Sequence, residues 1–324
     1  MQLNHAPVLR TLATAGRVTV AAVVDPNSER RESAARSFPG ARALARIEEL
    51  AAGEIEIAIV ASPARFHAAQ VIRLLENGCH VLCEKPLATT CAEAESMIVA
   101  AREAQRVLAV GLFRRFFPAL KAVRHFFVAE VFGALRSFTV QEGGPFNWPA
   151  ATASFFDPQQ AGGGVLLDAG VHVLDVLTWW LGEPATLRYA DDAEGGLEAT
   201  CRLQLEYEGG SGRVVGSVLL SRDWKMSNRW TLEFERATVV WRAGEANRLE
   251  ILPRGAEHWL VSRLEAAGAP GDSYQQAFTR QMLDVIEAVA RSRVPRVTGE
   301  EARRSLRLIE RCYRERTPLL AETA

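Results

Sequence analysis

The sequence predicts an α/β fold in which a doubly wound parallel sheet is followed by an α+β part carrying a large open, mainly antiparallel sheet. Three observations carry this. In the first third, short β-branched runs alternate with amphipathic stretches. Those strand-like runs are apolar along most of their length, as in a sheet covered on both faces. After Gly133 the texture changes to alternating runs joined by short turns. The chain has 324 residues, beyond the size at which single cores usually stop growing, so two domains are expected. They are residues 1–117 and 118–324, with the terminal helices able to pack back on the first.

In order, residues 18–24 read as a strand, and the turn Asp25-Pro26-Asn27 leads into a polar helix over 28–37. Residues 55–61 form a second strand. A helix over 64–77 is closed by Gly78, and 79–83 make another strand. Helical periodicity over 89–105 precedes a strand at 107–112 and a helix at 119–129. Beyond Gly133, residues 135–141 alternate like an antiparallel strand, 143–161 form a Gly, Pro and aromatic loop, and 164–181 form a helix. Runs at 199–207, 213–220, 229–234, 237–241 and 248–252 read as antiparallel strands of one open sheet. Helices near 273–291 and 299–316 complete the chain. Trp179 and Trp180 extend an apolar helix and are assigned to the core or a subunit contact.

Hydrophobic residues make up 48% and charged residues 24%, the profile of an ordered globular protein. The formal net charge of -1 gives no electrostatic reason to hold nucleic acid or an anionic membrane. The basic stretch 303–316 carries interspersed Glu and reads as a solvated helix face. Five cysteines are too few for a disulfide scaffold, and Cys79, Cys83 and Cys91 lack the CxxC pairing of a zinc site, so no metal is expected. The apolar stretch 165–181 is broken by Asp168, His172 and Asp175, and no leader opens the chain, so a cytoplasmic protein is expected.

Two motifs carry chemistry. Cys83-Glu84-Lys85-Pro86-Leu87 ends a buried strand, where parallel sheets bind ligands, and the proline favours a cis peptide after Lys85. A strand end simply emerging into solvent fits the tripeptide equally well. The second motif runs from Gly162-Gly163-Gly164 through Asp168 to His172 and Asp175. On a helix, Asp168 and His172 stack one turn apart, a carboxylate orienting an imidazole and stabilising its charged form for acid–base work. A satisfied core histidine is the competing reading. The three glycines point to close approach of backbone or ligand.

Together, in this order and separation, these motifs resemble the Gfo/Idh/MocA family of oxidoreductases. The resemblance extends to Val23-Val24-Asp25-Pro26, Ala61-Ser62-Pro63 with His67, Val110-Gly111 leading to Arg114-Arg115-Phe116 and Pro118, and residues 297–308. It implies a Rossmann-like first domain and hydride transfer between NAD or NADP and a secondary alcohol or ketone of a sugar, polyol or related cyclic substrate. Lys85 would hold the reacting oxygen, His172 would exchange its proton, and Asp168 would position substrate and imidazole. Asp25 would face the adenosine ribose, with Arg30 leaving room for a 2′-phosphate. Ser62, Pro63, His67, Glu84 and Lys85 would line the cofactor, and Arg115 would contact nicotinamide or substrate. Asn147 and Trp148, beside Phe146, would grip the sugar ring or else pack between domains. The open sheet would form a homo-oligomer interface.

One element of the family pattern is missing from the sequence. The chain opens at Met1-Gln2-Leu3-Asn4-His5, matching the family only from inside the first helix, with no preceding strand and no GxGxxG turn. The expectation is a natural protein with roughly 20 further residues of strand and loop. The alternative is a catalytically silent ligand-sensing, regulatory or partner-binding protein on the same fold. Retention of Lys85, Asp168 and His172 speaks for the enzyme. A metal-dependent hydrolase built on Asp168, His172 and Asp175 lacks a second ligand-spaced histidine.

Overall fold

A computed structural model describes residues 4–146, 157, 161–209, 212–264 and 274–319. The parallel part runs α1 (His5–Thr14), β1 (Ala22–Val24), α2 (Ser28–Arg36), β2 (Arg42–Leu44), β3 (Ile57–Val60), α3 (His67–Glu76), β4 (His80–Cys83), α4 (Cys91–Glu103), β5 (Leu108–Val110) and α5 (Pro118–Val128). Local chemistry sets the helix ends. The Asn27 side chain accepts from Arg30 N at 2.9 Å and starts α2 where the turn residues predict. Thr90 and Glu93 form a capping box at α4, and α3 gives way to Gly78 at φ +86°.

The parallel strands fall into two hydrogen-bonded groups, β1 with β2, and β3-β4-β5. Among the described residues no strand joins β1 to β3, and both are mainly half-buried, whereas β5 is buried throughout and β4 everywhere but its first residue. β2 was not apparent in the sequence; its Arg-Ala-Leu carries too little apolar pattern to stand out.

The second part is one nine-stranded sheet in the order β13-β12-β11-β10-β6-β9-β8-β7-β14. Its strands are β6 (Leu135–Gly143), β7 (Thr186–Asp191), β8 (Thr200–Gly209), β9 (Gly212–Ser221), β10 (Arg229–Phe234), β11 (Ala237–Arg242), β12 (Arg248–Pro253), β13 (Leu260–Arg263) and β14 (Thr317–Pro318). Pairing is antiparallel except for β6 with β9 and β7 with β14, so the sheet is mixed. Strict alternation along β10 buries Trp230, Leu232 and Phe234 on one face. Against that face packs α6 (Val171–Leu181), whose Trp180 sits 5.6 Å from both the Phe127 and Trp230 rings. Trp180 is therefore core, while Trp179 lies under the guanidinium groups of Arg115 and Arg124.

The chain returns through α7 (Tyr274–Ala290), which packs on α1, and α8 (Gly299–Arg314), which packs on both α4 and α6. Buried Gln281 donates to Val110 O at 3.1 Å, and Val110 N donates to Val297 O at 3.1 Å, so the end of β5 is tied to the returning chain. Among the described residues no helix is long and apolar enough to cross a membrane.

Gly216 on β9 lies opposite Phe138 on β6, and a Cβ there would fall 2.0 Å from the Phe138 ring. Gly216→Ala is expected to cost about 1–3 kcal/mol through overpacking. Urea unfolding should show a lower midpoint with unchanged slope; an unchanged midpoint would mean that the ring moves aside freely.

Candidate active site

The parallel strands deliver their carboxyl ends to one edge, where Asp25 follows β1, Ser62-Pro63 follows β3 and Glu84-Lys85-Pro86 follows β4. Glu84 N donates to Val60 O at 2.8 Å, extending β4 alongside β3 up to the motif. The Lys85–Pro86 peptide is cis, as the motif predicts. Burial pushes the Glu84 carboxyl up, but His5 Nε2 at 2.5 Å, the Lys85 charge and Lys85 N at 3.1 Å bring it below the ordinary carboxylate range. Gly111 permits this packing, because a Cβ there would lie 2.7 Å from Glu84 Oε2.

The glycine-rich segment arrives from the other part of the molecule. The sequence suggests one regular helix over 164–181, but Leu166–Gly170 is π-helical and only Val171–Leu181 is α-helical. This wider turn removes the simple one-turn stack of Asp168 on His172. Asp168 instead meets Lys85, whose Nζ donates to Asp168 O and Oδ1, each at 2.8 Å. His172 is only 7% exposed, with its ring edge-on to Phe113 at 5.0 Å and its Nδ1 without a hydrogen-bond partner among the described residues. Burial, followed by the charges of Lys85 and Arg114, holds this imidazole well below the usual 6.5. The expected stabilisation of a charged imidazole by Asp168 is thus reversed, since the carboxylate is engaged by Lys85 and the ring is kept neutral.

The three glycines serve protein packing. Gly162 sits at φ +75°; a Cβ on Gly163 would meet Tyr313 Oη at 2.4 Å, and one on Gly164 would meet Glu198 O at 2.1 Å. Glu198 Oε1 accepts from Gly164 N and Leu166 N at 3.0 Å each and from Tyr313 Oη at 2.7 Å. No local pattern marks Glu198 or Tyr313, because their contacts cross 34 and 115 positions of sequence respectively.

Arg115 is engaged inside the protein. It is 4% exposed, donates to both Asp175 oxygens from Nε at 3.1 and 3.0 Å, and donates from Nη1 to Glu301 at 2.7 Å. Its guanidinium ties α6 to α8. Arg114 is held by Glu142 through two bonds of 2.7 Å, and Trp230 Nε1 donates to the same carboxylate at 2.5 Å. His67 is 1% exposed, with its ring nitrogens on Pro86 O at 2.9 Å and Ser62 O at 2.8 Å, so it stitches two strand-end loops together. Ser62 Oγ donates to Gln70. Asp25 Oδ1 accepts from Asn27 N at 2.8 Å, and Arg30 lies on exposed α2 just beyond. Asn147 and Trp148 fall outside the described residues. An aromatic wall of Phe113, Tyr274 and Phe278 stands beside His172 and carried no signal in the sequence.

Residues 1–112 match the family model described as "Oxidoreductase family, NAD-binding Rossmann fold", and residues 120–240 match the "GFO/IDH/MocA C-terminal domain". The chain is 34% identical over 214 residues to mouse trans-1,2-dihydrobenzene-1,2-diol dehydrogenase, covering 64% of this chain and 62% of that protein. It is 32% identical over 184 residues to the rhizopine catabolism protein MocA of Rhizobium meliloti, covering 56% of each. Inositol 2-dehydrogenase of Leifsonia xyli is 27% identical over 275 residues, 82% of this chain and 75% of that protein. The chain thus spans less than two thirds of the length of the first two relatives. In fold it resembles an NAD binding oxidoreductase from Klebsiella pneumoniae (TM-score 0.83, 19% identity, 96% of this chain and 93% of that one). A levoglucosan dehydrogenase in complex with NADH and L-sorbose is similar (TM-score 0.81, 18% identity, 96% and 92%).

Because His172 stays neutral when folded, the unfolded chain takes up a proton below about pH 6.5 that the folded chain refuses. Stability is therefore lost as pH falls from there toward the folded value, at up to about 1.4 kcal/mol per pH unit. His172→Gln should lack this component. Urea unfolding between about pH 7 and about pH 5 should give a flatter pH dependence for the variant than for the parent; equal slopes would place the imidazole in water.

Proposed function

Because the chain belongs to the Gfo/Idh/MocA family of oxidoreductases, we propose that it moves a hydride between a nicotinamide dinucleotide and a secondary alcohol or ketone carbon of a sugar, polyol or related cyclic compound. The observation that carries this reading is the meeting of Lys85 with Asp168 at 2.8 Å beside a buried, neutral His172. A catalytically silent scaffold has no need of this arrangement.

The residues fit the ends of a dinucleotide. Asp25 stands at the carboxyl end of β1, where a carboxylate is suited to ribose hydroxyls. Glu84 and Lys85, at the end of β4, would hold the nicotinamide end. A bound nicotinamide would supply the hydride acceptor or donor. The family description favours NAD, and Arg30 close to Asp25 is the residue that would admit a 2′-phosphate.

In the oxidation direction, Lys85 Nζ donates to the substrate hydroxyl oxygen and favours its deprotonation as a carbonyl forms. Asp168 holds that ammonium in place through its backbone and side-chain oxygens. His172 is in the neutral form able to accept the hydroxyl proton at neutral pH. Reduction runs the same transfers backward. Lys85 and Asp168 cancel each other's charge, as do Arg114 and Glu142, which favours a neutral polyol over an anion. Of the aromatic rings grouped near His172, Phe113 and Phe278 are buried, and exposed Tyr274 is the one that offers an apolar surface to the C–H face of such a ring.

Fluorescence titration with NADH and with NADPH tests the cofactor, followed by turnover on a panel of sugars and inositols. Lys85→Ala should lower kcat by about 10²- to 10⁴-fold while dinucleotide binding persists. The acid limb of kcat/KM should lie below the ordinary imidazole value and disappear in His172→Ala. Failure to bind either dinucleotide, or undiminished turnover by Lys85→Ala, would sink the proposal.

A further inference from the structure

We propose that Glu198 is a positioning residue for this reaction: a remote helix cap that sets Asp168 against Lys85. The inference rests on the dehydrogenase reading above and adds to it a residue in the connection between β7 and β8, outside every sequence motif.

A helix leaves its first N–H groups without internal partners, and a neighbouring side chain or anion normally satisfies them. The segment leading to Asp168 has no such local residue, since Gly162, Gly163, Gly164 and Val165 carry no acceptor side chain. Glu198 satisfies three of these groups together. Its Oε1 accepts from Gly164 N and Leu166 N at 3.0 Å each, and its backbone oxygen accepts from Val165 N at 2.9 Å. It brings a negative charge to the end of a helix where such charge is favoured. Glu198 is itself 1% exposed, held by Tyr313 Oη at 2.7 Å, with Arg316 Nη2 3.6 Å from Oε2. Arg222 fixes its backbone oxygen at 2.8 Å. This is an over-determined anchor.

Two residues beyond the anchored Leu166, Asp168 turns both its carbonyl and its carboxylate to Lys85. Asp168 lies inside the π-helical turn Leu166–Gly170, a geometry less favourable than the α-helix and rarely longer than one turn. Relaxation to an α-helix would change the phase of Asp168 relative to β4, and Lys85, fixed at a strand end, cannot follow. Pinning three consecutive amide groups at the start of the segment resists that change. Gly163 and Gly164 are glycines because the anchor must approach their backbone closely.

The test compares Glu198→Ala, Glu198→Gln and Tyr313→Phe in the full chain. Glu198→Ala should lower kcat by about 10²-fold with the NADH Kd unchanged. Amide hydrogen exchange should quicken over residues 164–172 and remain unchanged over 80–87. Glu198→Gln keeps an oxygen acceptor for Gly164 N and Leu166 N and should restore most of kcat and the protection. Tyr313→Phe, which leaves both amide bonds in place, should lose less than Glu198→Ala, and it keeps the test open if the alanine variant does not fold. An active parent whose Glu198→Ala variant keeps full kcat would overturn the proposal. So would a loss in which kcat and NADH binding fall together and Gln rescues neither. A parent that binds NADH but turns over no polyol would overturn the dehydrogenase reading, and this inference with it.

Discussion

Lys85 reaches Asp168 only because two separately built parts of the chain meet at one edge. Lys85 comes from the carboxyl end of a buried parallel strand, and Asp168 comes from a π-helical turn packed against the large sheet. Two bonds of 2.8 Å to one ammonium fix where these parts meet, and they require both elements to hold their positions independently. Much of the surrounding polar chemistry can be understood as meeting that requirement. His67 locks the loop carrying Lys85 to the end of β3, and Glu198 locks the turn carrying Asp168 to the β7–β8 connection.

The same logic governs the buried charges. A buried ion is costly unless paired and hydrogen-bonded, and each pair near the site joins elements distant in sequence. Arg115 with Asp175 and Glu301 ties the turn after β5 to α6 and α8. Arg114 with Glu142 ties that turn to β6, and Trp230 shares the carboxylate from β10. Such pairs contribute less to net stability than to a unique arrangement, since breaking one strands the other charge. His172 is the exception: it lies buried and neutral amid positive neighbours, with its Nδ1 unsatisfied among the described residues. Perturbed groups of this kind concentrate at functional sites.

The large sheet supplies rigidity of another sort. Trp180, Trp230 and Trp241 form an edge-to-face apolar cluster between α6 and the sheet, with ring centroids 5.6 and 5.4 Å apart. The helix bearing His172 is therefore held by its far end as well as by its cap. Packing decides the tilt of that helix; the polar network decides its register. Both set where Lys85 and His172, carried on different elements, lie.

Legible in the amino-acid sequence were the element types, the order of a parallel and then a mainly antiparallel sheet, the strand-end motif around Lys85 and the segment carrying Asp168 and His172. These arise from apolar periodicity, turn residues and caps, which act over a few residues and can be read locally. Not read from the sequence were β2, β13 and β14, which are short, and β7, although its six residues alternate. Long-range packing alone determined that Asp168 faces Lys85 and not His172, that the glycines admit Glu198 and Tyr313, and that Arg115 and His67 are consumed by internal contacts. Those outcomes depend on groups that lie scores of residues apart along the chain, and on burial that reverses the charge state an isolated Asp–His spacing suggests.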